Sequence, residues 1–177
     1  QMEDIVRNRF LRSLDAVIAY SNAGAQQYIA VGLDAQKVFV APNAVSPKPT
    51  QPAPFRPNTF QNGQARLLFV GRLQSRKNLD ALLQACAAMP KEDQPGLTIV
   101  GDGPDRPRLE ALAADIYPQT QFPGARHGAE LDAFFNQADL FVLPGTGGLA
   151  VQQAMAHALP VIVGQADGTQ GELVRPE

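Results

Sequence analysis

Apolar positions along the chain alternate between two rhythms. Short, nearly unbroken apolar runs stand at Asp15–Tyr20, Lys37–Ala41, Leu67–Gly71, Leu97–Gly101, Thr120–Phe122, Leu140–Leu143 and Pro160–Val163. Runs of this length, closed by glycine, proline or polar residues, predict buried strands. Between them the spacing becomes helical. Ile5, Val6, Phe10, Leu11 and Leu14 mark an amphipathic helix over about residues 1–13, with Arg7, Arg9 and Arg12 elsewhere around it. A second helix is capped by Ser21 or Asn22, runs to about Val31 and stops at Gly32. Further helical patterns lie near 78–89, 105–115, 129–137 and 148–157, and Glu172-Leu-Val174 begins a sixth element.

Strand, helix, strand in regular succession predicts an α/β fold with a doubly wound parallel sheet over residues 65–177. Its most explicit unit is Asp139–Val163: a strand closed by Pro144, the turn Gly145-Thr-Gly-Gly148, a small-residue helix, and a second strand. Residues 1–45 read as a smaller βαβ fragment. Prolines at 42, 47, 49, 52, 54 and 57 separate the two parts, so residues 46–64 are expected to be an extended linker.

Composition narrows the classes. The net charge of −2 and a sequence pI near 5.7 give no reason to expect nucleic-acid binding. One cysteine excludes an intrachain disulfide framework, and Cys86 sits among Leu82, Leu83 and Met89 as a core residue. No apolar run approaches the ~18 residues of a membrane span. No targeting segment is visible, and the opening Gln1-Met2 reads as the start of an excerpt.

Ligands of open parallel sheets bind outside the carboxyl ends of the strands. Gly71 and Arg72 follow one strand, with Lys77 five residues on. An arginine fork with a lysine point charge suits a diphosphate, and the alternative is a pair of solvated loop cations. Gly101-Asp-Gly103-Pro104 follows the next strand and allows close backbone approach, either to a ligand or as a plain tight turn. It lacks the dinucleotide-binding pattern of glycines. Phe122-Pro-Gly124 precedes Arg126 and His127, the histidine being read as solvated. Gly145 to Gly148 stand before a helix whose amino terminus favours an anion. His157, at that helix's end, reads as a packed residue or a complement to the helix dipole. Glycines or cations after four successive strands together suggest a phosphate-bearing, nucleotide-like ligand.

Five segments recur in the order and spacing of one known group: Val70-Gly-Arg-Leu-x-x-x-Lys77-Asn78, Ile99-Val-Gly-Asp-Gly-Pro104, Phe122-x-Gly124, Ala138-Asp-Leu-Phe-Val-Leu-Pro144, and Gly148-Leu-x-x-x-Gln-Ala-Met-Ala-x-Ala-Leu-Pro-Val-Ile162. Residues 65–177 thereby resemble the donor half of GT-B glycosyltransferases of family 4, also called group 1. Residues 14–45 resemble the last βαβ piece of that family's N-terminal domain. The resemblance implies a Rossmann-like domain holding a nucleotide-diphospho-sugar and transferring the sugar, with retained anomeric configuration and no metal, to a glycan or lipid-linked acceptor. Arg72 and Lys77 match the pair that neutralises the diphosphate and the leaving nucleotide. Phe122, Gly124, Glu130 and Leu131 match the nucleobase edge. The remaining donor contacts fall at Gly71, Gly101, Gly103, Gly145, Thr146, Gly147, Gly148, Leu149 and Gln153.

Two departures qualify that match. The family carries two glutamates around the glycine turn, the first touching the sugar and the second the ribose; Gly145 and Gln153 stand in their places. Sugar contact is then expected from Thr146 or from Asp167-Gly-Thr169. Ala158 replaces a glycine that ends the helix, a cost wherever the backbone is left-handed. The resemblance also implies that most of the acceptor domain and the segment after Glu177 lie outside this chain, so the 177 residues alone are expected not to catalyse transfer. Two other readings are a non-catalytic nucleotide-sugar binding module and a GT-B-like sugar-nucleotide epimerase. The family's acceptors place the whole enzyme in the cytoplasm, at the inner membrane face, with peripheral membrane contact allowed. Apolar surface at Ala16–Tyr20 is expected to be exposed here and to favour self-association.

Overall fold

The computed structural model of the chain describes residues 2–42, 44, 48–56, 64–165 and 168–174. Helix α1 (Met2–Arg12) leads to β1 (Val17–Ala19), α2 (Asn22–Ala30), a 3₁₀ turn at Ala35–Lys37 and β2 (Val38–Val40). β1 and β2 pair in parallel, Val17 opposite Val38, which completes one βαβ unit. Ser21 caps α2 by accepting from the Gly24 amide at 2.9 Å. At the other end Gly32 takes a left-handed φ of 96°, and the Arg12 guanidinium donates to the freed Val31 carbonyl at 2.8 and 3.1 Å. The amphipathic reading of α1 meets a difference: Ile5, Val6 and Phe10 are exposed. A two-stranded sheet gives that apolar stripe nothing to cover it.

The larger unit runs β3 (Arg66–Val70), α3 (Leu79–Ala88), β4 (Gly96–Val100), α4 (Arg106–Ile116), β5 (Gln121–Gly124), α5 (Gly128–Gln137), β6 (Leu140–Leu143), α6 (Leu149–Ala156), β7 (Val161–Val163) and α7 (Gly168–Leu173). All five strands are parallel, in the order β5-β4-β3-β6-β7. Right-handed crossovers from β3 through β5 place α3 and α4 on one face; those from β5 through β7 place α5 and α6 on the other. Phe69, Leu97, Ile99, Phe141 and Leu143 fill the middle, packed by Leu83, Leu109, Phe135 and Val151. Cys86 lies in this core, as expected of a small apolar residue.

Element bounds depart from the sequence expectation in a few places. β5 extends through Pro123 to Gly124, tolerated because β5 is an edge strand and the missing N–H is not needed by a neighbour. α3 starts at Leu79 because Asn78 adopts a left-handed φ of 55°. The sixth element is helix α7, beginning at Gly168, before Glu172.

Residues 48–56 have no regular secondary structure and lie along the α5–α6 face. Thr50 donates its amide (3.0 Å) and hydroxyl (2.7 Å) to Asp132 Oδ2. Arg56 donates to Phe135 and Ala138 carbonyls at the end of α5, and to the His157 carbonyl after α6. His157 is a packed residue, 1% exposed, stacked on Phe135 with Nε2 3.2 Å from Asp132 Oδ1. The expected linker prolines at 47 and 57 lie outside the described residues.

Candidate functional site

The strand order reverses between β3 and β6, and that switch point opens a crevice at their carboxyl ends. The chain leaves β3 through Gly71-Arg72-Leu73 and leaves β6 through Pro144 to Gly148. Lys77 bridges the two. It is 9% exposed, and its ammonium donates to the Thr146 carbonyl. A Cβ on Gly147 would stand 2.8 Å from Lys77 Nζ, so glycine there keeps room for the charge. The Thr146 amide donates to the Arg76 carbonyl at 3.0 Å, and the Arg76 guanidinium lies 3.4 Å from Thr146 Oγ1. Arg72 is exposed and makes no hydrogen bond or ion pair among the described residues. One buried lysine and two neighbouring arginines thus gather beside the crevice.

The loops along this edge are joined backbone to backbone. Gly71 N donates to Val100 O at 3.0 Å, Leu73 N to Asp102 O at 2.8 Å, and Gly101 N to Gly124 O at 2.9 Å. A Cβ at Gly101 would overlap the Gly71 carbonyl oxygen, and one at Gly103 would overlap that of Leu73. Glycine at both positions is therefore demanded by the adjoining loop. Gly145 is also closed off: a Cβ would overlap the Arg76 carbonyl. Its own carbonyl accepts from Gln170 Nε2 at 3.0 Å.

At the β5 end, Phe122 is half-buried and Gly124 is buried with a φ of 83°. Arg106 of α4 donates to Phe122 O at 3.3 Å and to Glu110 at 2.7 Å, and the Glu110 carboxylate raises the guanidinium above its ordinary pKa. Glu130 is exposed and 3.7 Å from Arg126, whereas Leu131 belongs to the hydrophobic core. Gly148 precedes α6 without a side-chain cap, Leu149 is exposed, and Gln153 is half-buried one turn into the helix. The structure therefore brings Gly71, Lys77 and Gly145 to Gly148 together at the switch point. Glu130 lies at the separate β5 end, and Leu131 is inside. Asp167 lies outside the described residues, as does the Thr169 side chain.

Sequence reasoning passed over Arg76, Arg106 and Gln170. Arg76 adjoins Lys77 in sequence and was within reach of the same argument. Arg106 and Gln170 act through contacts 16 and 25 residues away, which no local pattern encodes.

The model of the family described as glycosyl transferases group 1 matches residues 51–177. The chain belongs to that family. Among relatives of this group 1 chain, a GDP-mannose-dependent alpha-mannosyltransferase of Mycolicibacterium smegmatis is 38% identical over 118 residues, 65% of this chain and 29% of that protein. The chain therefore spans under a third of that relative's length. Among solved structures, the lipopolysaccharide outer core galactosyltransferase WaaB superposes with a TM-score of 0.73 at 24% identity, covering 92% of this chain and 46% of WaaB. Anabaena HepE, solved with UDP and glucose, superposes with a TM-score of 0.75 at 20% identity, covering 99% of this chain and 51% of HepE. These likenesses establish the expected fold: a Rossmann-like parallel sheet of the GT-B type. Among the described residues, no helix is long and apolar enough to cross a membrane.

Proposed function

We propose that this chain is the donor-binding part of a retaining glycosyltransferase that moves a sugar from a nucleotide-diphospho-sugar to a glycan or lipid-linked acceptor. The observation that carries the reading is Lys77, buried across the switch point, with Arg76 reaching the same turn and Arg72 exposed on the loop that leaves β3. A cation fixed where a pyrophosphate would lie stabilises the charge that grows on a departing nucleoside diphosphate. The mannosyltransferase relative favours a GDP-linked sugar as the donor. In this reading Phe122 to Gly124 bound the base, residues 1–45 belong to the acceptor side, and the whole enzyme works at the cytoplasmic face of the inner membrane.

Gly145 favours a second reading, a nucleotide-sugar binding module without turnover. No side chain fits at that position, so no carboxylate there can assist the chemistry.

Calorimetric titration of the chain with GDP, UDP and ADP tests the donor reading. One nucleotide is expected to bind, and Arg72→Ala to weaken it about tenfold or more, the loss of a charge-assisted contact. Failure of all three to bind, or indifference to Arg72→Ala, would remove the diphosphate role. Turnover by the full-length enzyme then separates transferase from binding module.

A further inference from the structure

A cavity of about 240 Å³ opens at the opposite edge of the large sheet, where β3 and β4 begin and the last turn of α5 crosses them. An inner strand of a parallel sheet is ordinarily covered on both faces. β4 is inner, yet the amino half of its α5 face opens into this cavity. Phe141 packs on Phe135 of α5, which marks the face. Register then sets Phe141, Leu68, Thr98 and Gln121 in one row along it. The row turns from apolar to polar as it leaves the helix: Phe141 and Leu68 are buried, Thr98 is half-buried and Gln121 is exposed. Gly96, two residues before Thr98, shares the face. A Cβ there would meet only the Ala65 carbonyl, at 3.9 Å, so the space above that glycine is open rather than packed.

The walls select a kind of ligand. Among the described residues, the side chains of Thr98, Gln121 and Gln137 make no hydrogen bond, and all three line the cavity. A primary amide both donates and accepts, as does a hydroxyl. Arg66, at the rim, is already committed: its Nε and Nη2 donate to the two Asp139 oxygens at 2.9 and 2.7 Å. An anion would have to displace that carboxylate. No acidic side chain lines the cavity to receive a cation. Phe134 of α5 and Leu68 add an apolar surface for C–H groups. A neutral ligand rich in hydroxyls, with an apolar face, meets all of these conditions. The volume is below the ~300–1,000 Å³ of sites for larger ligands and suits one hexose ring.

We propose that this cavity is a carbohydrate-binding site for one hexose unit of a glycan, separate from the switch point. Gln121 from the edge strand, Gln137 from α5 and Thr98 from the floor supply the hydrogen bonds, and Phe134 takes the ring's apolar face. The switch point lies at the carboxyl ends of the same strands. The length of β3, on the order of 15 Å, stands between the two. A hexose held at the amino edge is thus out of reach of the switch-point cations, so the site tethers a glycan and does no chemistry on it. The inference stands on this cavity alone and does not depend on the donor reading.

The test is a two-dimensional NMR titration of the isotope-labelled chain with methyl α-mannoside, methyl α-glucoside and methyl β-galactoside, with inorganic phosphate as the charged control. At least one glycoside is expected to shift the side-chain amides of Gln121 and Gln137 and the backbone amide of Thr98, saturating in the millimolar range, while Gly145 to Gly148 stay still. Gly96→Leu fills the cavity from a position where a Cβ has room, and is expected to weaken that binding about tenfold or more. Should Gly96→Leu lower the melting temperature markedly, Gln121→Leu with Gln137→Leu changes two exposed residues, and is expected to show the same loss at the Thr98 amide. No saturable shift with any of the three glycosides overturns the proposal, as does a shift that the cavity variants leave unchanged. Shifts confined to Gly145 to Gly148 would put the sugar at the switch point instead, and saturation by phosphate without the glycosides would make the cavity an anion site. Either result also overturns it.

Discussion

Ala158 follows the last turn of α6 with a φ of 49°. Its amide donates to the Met155 carbonyl at 2.9 Å, and the Leu159 amide to Ala154 at 3.0 Å, the paired bonds that close a helix through a left-handed residue. The sequence reading attached a cost to alanine here on condition that the backbone be left-handed, and it is. An L residue with a Cβ loses roughly 1–2 kcal/mol in that region. Ala158→Gly is therefore expected to stabilise the chain by about 1 kcal/mol, raising the melting temperature by about 2–4 °C for a protein of this size. A calorimetric scan checks it, and a lowered melting temperature would mean that extra unfolded-state entropy outweighs relief of strain. Glycines at 101, 103 and 145 were legible as special, but not the reason for them. Sequence reading assigned the pair at 101 and 103 to a ligand's approach, or else to a tight turn; the neighbouring loops already demand them.

At the scale of elements, the β and α pattern was legible because buried strands and amphipathic helices repeat with different periods. The strap at 48–56 was not. Its proline content predicted extended chain, but nothing in that content says where the segment docks. The docking rests on Thr50, Asp132, His157 and Arg56, joined over 79 to 101 residues. Burial pushes the Asp132 carboxyl up, but the Thr50 hydroxyl and amide and the His157 ring together outweigh it and hold it below the ordinary carboxylate range. A depressed carboxylate contributes stability that is present above the unfolded value of about 3.9 and lost as pH falls through the folded value. Asp132→Asn is expected to melt lower than the parent at pH 7. It should also lose less on going from pH 5 to pH 3, because the parent alone forfeits the Asp132 contribution there. Melting curves across that range decide it; parallel curves for the two proteins would show that Asp132 is not coupled to folding.

At the scale of the whole molecule, the two sheets are unequal. The five-stranded unit has a closed core, whereas Ile18 is 64% exposed opposite an exposed Phe39 on the paired strand, and Tyr20, Ile5 and Phe10 of the same unit are exposed as well. Exposed apolar surface of this kind promotes association. Sedimentation velocity is expected to show concentration-dependent self-association, reduced by Ile18→Ser with Phe39→Ser, and a monomer at all concentrations would refute it. The switch point was legible from order alone, since the strand succession fixes where the sheet reverses. The seam between the two units, a cleft lined by Tyr20 and Pro42 on one side and Gln152 and Glu172 on the other, was not, because it depends on how α7 meets α2. Such a division bears on how the family's chemistry can diversify. Gly101, Gly103, Gly145 and Gly164 are each pinned by a neighbouring main-chain oxygen, a constraint indifferent to what is bound. The seam is built instead from side chains such as Tyr20, Gln152 and Glu172, which mutation can exchange singly. The turns are thus held still while the side chains at the seam stay exchangeable, so that inheritance preserves the frame and lets selection edit the lining.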